Sequence, residues 1–128
     1  AKETIETVRQ ILAANIPTFG ICLGSQILSL AAGGETYKLK FGHRGQNQPV
    51  QDVITKKAVI TSQNHGFAVE TKSLSKDWTE WFVNLNDGTN EGVRHKNKPF
   101  MAVQFHPEAN PGPVEGGYLF DEFISSLN

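Results

Sequence analysis

Cysteine occurs once in these 128 residues, at position 22. No intrachain disulfide can form, so a reducing compartment fits the composition. Charge of one sign is equally scarce: 12 Lys and Arg stand against 13 Asp and Glu, interspersed rather than blocked, for a net charge of −1. That balance lacks the basic footprint of a nucleic-acid binder and suggests neither a polyanion nor a membrane surface as partner. No apolar run approaches the ~18 residues that span a bilayer, and no signal-peptide pattern opens the chain. Repeats and low-complexity tracts are missing as well. The four histidines and the thiol follow none of the common zinc spacings, which makes a metal site the weaker reading. The expectation is a soluble cytoplasmic protein, one domain or part of one, large enough for a core but small for a complete doubly wound enzyme.

What the chain does have is concentrated around its cysteine. Residues 16–21 are apolar and partly β-branched, as in a buried strand, and residues 25–32 read as a helix. Cys22 sits at the joint, within Gly20-Ile21-Cys22-Leu23-Gly24. This is the G-x-nucleophile-x-G form of an elbow, in which a sharp strand-to-helix turn strains the backbone of the central residue and glycines keep neighbouring Cβ atoms away. The turn also places the sulfur at a helix N-terminus, where unpaired N–H groups and the helix dipole favour thiolate. By residue type alone a lone cysteine is more often a small buried hydrophobe. The two flanking glycines shift the balance, because a core cysteine in a strand needs neither.

The rest of the chain reads as a mixed α/β architecture. Residues 2–15 carry Ile5, Val8, Ile11 and Leu12 at helical spacing, with Thr4 as a candidate cap. A helix ahead of the nucleophile strand calls for a parallel strand before it, and the chain starts with Ala, so upstream sequence is expected to be missing. Gly33-Gly34 stops the second helix, and residues 35–41 alternate as a strand before the polar stretch 42–49. Short strands are predicted at 53–54, 58–61 and up to Glu70, then at 78–84, 92–95 and 100–105, with turns at Asn86-Asp87-Gly88 and Asn97-Lys98-Pro99. A final helix over 118–127 has Leu119, Phe120, Phe123 and Ile124 on one face. The pattern is an α/β core with an antiparallel insert, lacking its N-terminal strands. Phe67, Phe82, Phe105, Phe120 and Phe123 are core by default, and Trp78 and Trp81 bracket the insert as core or interface.

A second chemical candidate is Phe105-His106-Pro107-Glu108 at the end of the last strand. Side chains two apart in extended backbone face the same way, so His106 and Glu108 can share a site in which the carboxylate orients the imidazole. A cysteine nucleophile needs such a base, since a thiol of pKa about 8.5 is mostly protonated at neutral pH. The competing reading is a turn histidine in a loop closed by proline. His43 and His95 lie in polar stretches and read as surface or loop hydrogen-bonders, while His65 is the sequence neighbour of Asn64.

Gly20-Ile21-Cys22-Leu23-Gly24, Gln63-Asn64-His65-Gly66-Phe67-Ala68-Val69 and Gln104-Phe105-His106-Pro107-Glu108, followed by Pro111-Gly112-Pro113, together resemble a known family. It is the glutaminase domain of carbamoyl-phosphate synthase small chains, a class I (triad-type) glutamine amidotransferase with a flavodoxin-like fold. The resemblance runs along essentially the whole chain and includes Leu39-Lys40-Phe41-Gly42-His43-Arg44-Gly45 and Leu119-Phe120-Asp121. It implies Cys22 as nucleophile, His106 as general base and acid, and Glu108 as the group orienting His106. It further implies that Leu23, Gln26, Asn64, Gly66 and Phe67 line a site for L-glutamine, with the Leu23 N–H as an oxyanion donor. Ammonia released through a thioester would pass to a large synthetase subunit or domain for pyrimidine and arginine synthesis. No cofactor is implied for this chain, since ATP and Mg belong to the synthetase.

Two departures qualify what the resemblance implies. The family has an N-terminal subdomain and a Gly-rich loop ahead of the elbow that gives a second oxyanion donor; neither is in this sequence, and one lost donor typically costs ~10²–10³ in rate. The sheet would then be open on one edge, inviting a partner. Ser25 also stands where the family commonly has histidine, and Glu115-Gly116-Gly117 where Asp-Thr is common. A catalytically incompetent fragment that keeps a partner surface, or a γ-glutamyl hydrolase on the same scaffold, are the alternatives.

Overall fold

In the computed structural model the described residues are 2–107 and 118–127, with the side chains of 41–47 and of Ser62 left aside. The elements follow as α1 (Lys2–Ala13), β1 (Thr18–Ile21), α2 (Leu23–Ala31), β2 (Glu35–Asp52), β3 (Ala58–Glu70), a short 3₁₀ turn (Thr71–Ser73), β4 (Trp78–Asn84), β5 (Asn90–His95), β6 (Phe100–Val103) and α3 (Tyr118–Ser125). The described strands form one six-stranded sheet in the order β1-β6-β5-β4-β2-β3. Only β1 and β6 run parallel; every other pair is antiparallel. The fold is the expected mixed α/β, with the antiparallel strands continuing the same sheet.

Helix α1 forms on the predicted stripe of Ile5, Val8, Ile11 and Leu12, which are its half-buried positions, and it packs on α2. Thr4 lies inside it, so the helix starts one turn earlier than a Thr4 cap would place it. Asn15 ends it in the left-handed region at φ 60°, where the Asn15 and Ile16 N–H groups return to the Leu12 and Ile11 carbonyls. The chain then extends into β1.

The sheet is covered on both faces. On one, Leu28 of α2 meets Val69, Val93 and Ala102; on the other, Leu119 of α3 joins Trp81, Phe82, Met101, Val103 and Phe105. The 101, 103, 105 alternation against Ala102 is the two-residue period of a strand buried on both sides. Trp81 is therefore core, whereas Trp78 lies at the margin, stacked on Phe100 with ring centroids 6.0 Å apart. Phe82 and Phe105 are fully buried, but Phe120 is 36% exposed and so departs from the core expected of it, while Phe67, the one phenylalanine also expected at the site, is 48% exposed. Phe19 of β1 holds α3 in place through tilted contacts with Phe120 and Phe123 at 5.6 and 5.4 Å.

The main departure from the predicted elements is the β2–β3 hairpin. The polar stretch 42–49 continues as strand, and so does 62–67, because each pairs with the other: His43 stands opposite His65, Arg44 opposite Asn64 and Gly45 opposite Gln63. Cross-strand hydrogen bonding supplies what the side-chain pattern lacks. Register shifts between Lys38 and His43 and between Gly45 and Gln48 bend the ribbon, and β3 comes to pack on β5, three strands away in the sheet order. Residues 53–54, predicted as strand, form the turn of this hairpin instead.

Asp52 explains that turn. Its Oδ1 accepts the N–H groups of Ile54 and Thr55 at 2.9 and 3.1 Å, an Asx-type closure. Its Oδ2 accepts from Trp81 Nε1 at 3.1 Å and from the Tyr118 hydroxyl at 3.3 Å. One carboxylate, 2% exposed, thus ties the hairpin to β4 and α3. Burial, reinforced by the Asp52 charge, pushes the Tyr118 phenol up, so it remains a donor. Substituting Asp52→Asn turns an amide N–H toward donors that it cannot satisfy. The chain should lose about 1–3 kcal/mol of stability by urea denaturation, with Tyr118→Phe losing less.

Candidate active site

The site is assembled by the parallel pair. β1 and β6 run in register from Thr18 opposite Phe100 to Ile21 opposite Val103, so Cys22 and Gln104 leave the sheet side by side at the same end. The Cys22 N–H donates to the Val103 carbonyl at 2.9 Å, the last bond of that ladder. His106 follows two residues after Gln104 and is exposed at this end of the sheet. Glu108 lies outside the described residues, as do the Pro111-Gly112-Pro113 and Glu115-Gly116-Gly117 segments.

Cys22 turns the chain from strand to helix at φ 58° and ψ −115°, a backbone that L-residues rarely adopt. Its carbonyl accepts the Ser25 N–H at 2.9 Å to open α2. The two flanking glycines have different reasons. A Cβ on Gly20 would sit 2.7 Å from the Gly24 carbonyl oxygen and 2.9 Å from its carbon, so the elbow closes only with glycine there. A Cβ on Gly24 would meet nothing within 4 Å. Ser25, one residue on, is 2% exposed, and its carbonyl accepts from the Ser29 hydroxyl, so the departure from the family's histidine is packed beneath the elbow.

Cys22 is partly buried and opens onto a cavity of about 220 Å³. Leu23 and Gln26 of α2 line one side, Asn64, Gly66 and Phe67 of β3 the other, with His65 and Gln104 completing the wall. The bent hairpin is what carries β3 over the end of α2. Leu23 and Phe67, 64% and 48% exposed, form an apolar rim. Gln26 bridges the two sides, donating from Nε2 to Gln104 Oε1 at 3.0 Å and to the Phe67 carbonyl at 3.3 Å. Gln104 in turn directs its Nε2 at the Cys22 sulfur at 3.9 Å. The result is a concave, solvent-open site with a cysteine at its base and a small number of fixed amide donors and acceptors, suited to a polar ligand of a few heavy atoms.

All six residues expected to form the site, Cys22 included, therefore share one cavity, and His106 stands at the same end of the sheet. Sequence reasoning assigned no role to Gln104, although it lies in the quoted His106 motif, nor to Gln63 and Glu91. Gln63 is 3% exposed and Glu91 fully buried. Glu91 gave no signal because it lies just ahead of the predicted strand 92–95, whereas β5 begins at Asn90, is central, and is buried at Asn90, Glu91, Gly92 and Val93 alike.

Residues 1–126 match the family described as "Glutamine amidotransferase class-I". The carbamoyl phosphate synthase small chain of Methanocaldococcus jannaschii is 59% identical over 96% of this chain and 34% of its own length. That of Methanopyrus kandleri is 56% identical over 97% of this chain, again covering 34% of the relative. The chain thus spans about a third of these curated relatives. Among solved structures, a glutamine amidotransferase from Thermotoga maritima superposes with a TM-score of 0.68 at 27% identity, over 84% of this chain and 47% of that one.

The asymmetry of the elbow glycines is testable by paired substitution. Gly20→Ala should lose about 1–3 kcal/mol in thermal or urea unfolding, as overpacking against backbone does. Gly24→Ala, in the first turn of α2 with open space around it, should stay within about 1 kcal/mol of the parent chain or exceed it.

Proposed function

Since the chain belongs to the class I glutamine amidotransferase family, we propose that it performs the glutamine-hydrolysing step of carbamoyl phosphate synthesis. The single observation that carries this reading is the cavity at the elbow, where Leu23, Gln26, Asn64, Gly66 and Phe67 surround Cys22. L-glutamine presents an amide and an α-amino acid head, which require acceptors and donors at opposite ends of a small site. The Asn64 and Gln26 amides and the backbone of 66–67 can supply them.

In this reading the Cys22 thiolate attacks the side-chain carbonyl carbon of glutamine, and negative charge develops on the carbonyl oxygen. The Leu23 N–H receives it in this reading, which the start of α2 at Leu23 supports, since the first N–H groups of a helix have no intrahelical acceptor. His106, oriented by Glu108, gives a proton to the departing nitrogen; the C–N bond breaks, ammonia leaves, and a γ-glutamyl thioester remains on Cys22. A water that loses its proton to His106 then attacks the thioester carbonyl, and the C–S bond breaks to give glutamate and free thiolate. Ammonia is consumed on a synthetase subunit or domain, which holds the ATP and Mg of the overall reaction and serves the pyrimidine or arginine pathway.

The test is glutaminase activity together with acid trapping of a glutamyl thioester, on this chain and on Cys22→Ser, with and without a synthetase. Thioester and ammonia are expected from the parent chain. Cys22→Ser should yield no thioester and lose at least ~10³-fold in ammonia release. Ammonia release that survives Cys22→Ser would sink the mechanism. A folded chain that forms no thioester under any condition would leave a non-catalytic partner surface, and hydrolysis of γ-glutamyl peptides but not of glutamine would point to a hydrolase.

A further inference from the structure

Behind the cavity wall lies a buried polar chain that the proposed reaction does not use. His65 of β3 is 7% exposed, and both of its ring nitrogens face oxygen. Nδ1 is 2.8 Å from the Phe67 carbonyl; Nε2 is 2.7 Å from Gln63 Oε1 and 3.7 Å from Glu91 Oε1. A carbonyl only accepts, so Nδ1 carries a hydrogen. The other side is fixed by Thr61, whose hydroxyl must donate to the Gln48 carbonyl at 2.7 Å and so accepts from Gln63 Nε2 at 2.8 Å. That leaves Gln63 Oε1 toward His65, and Nε2 carries a hydrogen as well. A ring with two N–H donors is an imidazolium.

The countercharge comes from β5. Glu91 is fully buried, and its second oxygen accepts from Asn84 Nδ2 at 3.0 Å. Among the described side chains, Cys22 lines the same cavity ahead of α2, and in the register of the hairpin the backbone of His43 stands opposite His65. A buried ion pair is weak support for stability, since a well-packed apolar replacement is often as stable. Its place suggests a different use. The Phe67 carbonyl that His65 holds is the same one that accepts from Gln26, and Gln26 in turn donates to Gln104 beside the Cys22 sulfur.

We propose that Glu91 is a positioning residue for this site: it holds His65 as an imidazolium, and His65 fixes the Phe67 carbonyl and through it the aim of Gln26. The inference rests on the glutamine reading of the cavity for its effect on substrate, but not for the state of the ring. In Glu91→Gln the KM for glutamine should rise about tenfold with kcat little changed, and the thioester should still be trapped at saturating glutamine. The ring nitrogens of His65, observed by ¹⁵N NMR near neutral pH on the whole chain and assigned by their loss in His65→Gln, should both be protonated in the parent and only one in Glu91→Gln. A parent His65 with a single protonated nitrogen overturns the proposal without need of any variant. So does a folded Glu91→Gln that matches the parent in both KM and ring state. A parent that hydrolyses no glutamine, but in which Glu91→Gln removes the second ring proton, would sink the glutamine reading and leave the buried pair standing.

Discussion

The last rung of the β1–β6 ladder, the Cys22 N–H on the Val103 carbonyl, fixes where everything else in the site can be. Because the two strands are parallel, both end at the same edge, and the residues that follow them emerge as neighbours although they are over eighty positions apart in sequence. An antiparallel pairing would send them to opposite ends of the sheet. The elbow then turns the chain within one residue, and it can do so only because position 20 has no Cβ to strike the Gly24 carbonyl. Helix α2 starts at Leu23 directly from this turn, with Cys22 at its N-cap position.

The second constraint is the bend in the β2–β3 hairpin. A flat ribbon would leave Asn64–Phe67 at the far edge of the sheet, four strands from β6 in the sheet order. Register shifts curl it over β5, and a continuous set of polar contacts then joins the parts: Glu91 to His65, His65 to the Phe67 carbonyl, Gln26 to that carbonyl and to Gln104, and Gln104 to Cys22. Asp52 does the corresponding work at the other end of the hairpin, holding its turn against Trp81 and Tyr118. Both carboxylates are buried and hydrogen-bonded, the condition under which such groups are tolerated in a core.

The elbow was legible in the sequence because its reason is local: two glycines around a cysteine between an apolar run and a helix. The six predicted residues of the cavity came from the family resemblance, and they lie at the start of α2 and on β3, which the hairpin's curl brings together. Segments 42–49 and 62–67 were not legible as strand, since Gly42, Gly45 and Pro49 look like breakers and the pairing that overrides them is non-local. Residues 53–54 misled in the opposite direction: Val53 and Ile54 are β-branched, but the Asp52 side chain captures the following N–H groups into a turn. Glu91 stayed hidden because burial on both faces of a central strand is a property of its neighbours, not of its own sequence.

The central claim is that the space over Cys22 is shaped for L-glutamine, with the sulfur aimed at its side-chain carbonyl. It is tested most directly by mass-spectrometric labelling of the chain with a glutamine analogue that carries an electrophile in place of the amide. The account predicts modification at Cys22 that saturates with analogue concentration and is slowed by L-glutamine but not by D-glutamine. Labelling at the same rate with and without L-glutamine, or no faster than by a small unspecific alkylating reagent, would contradict it.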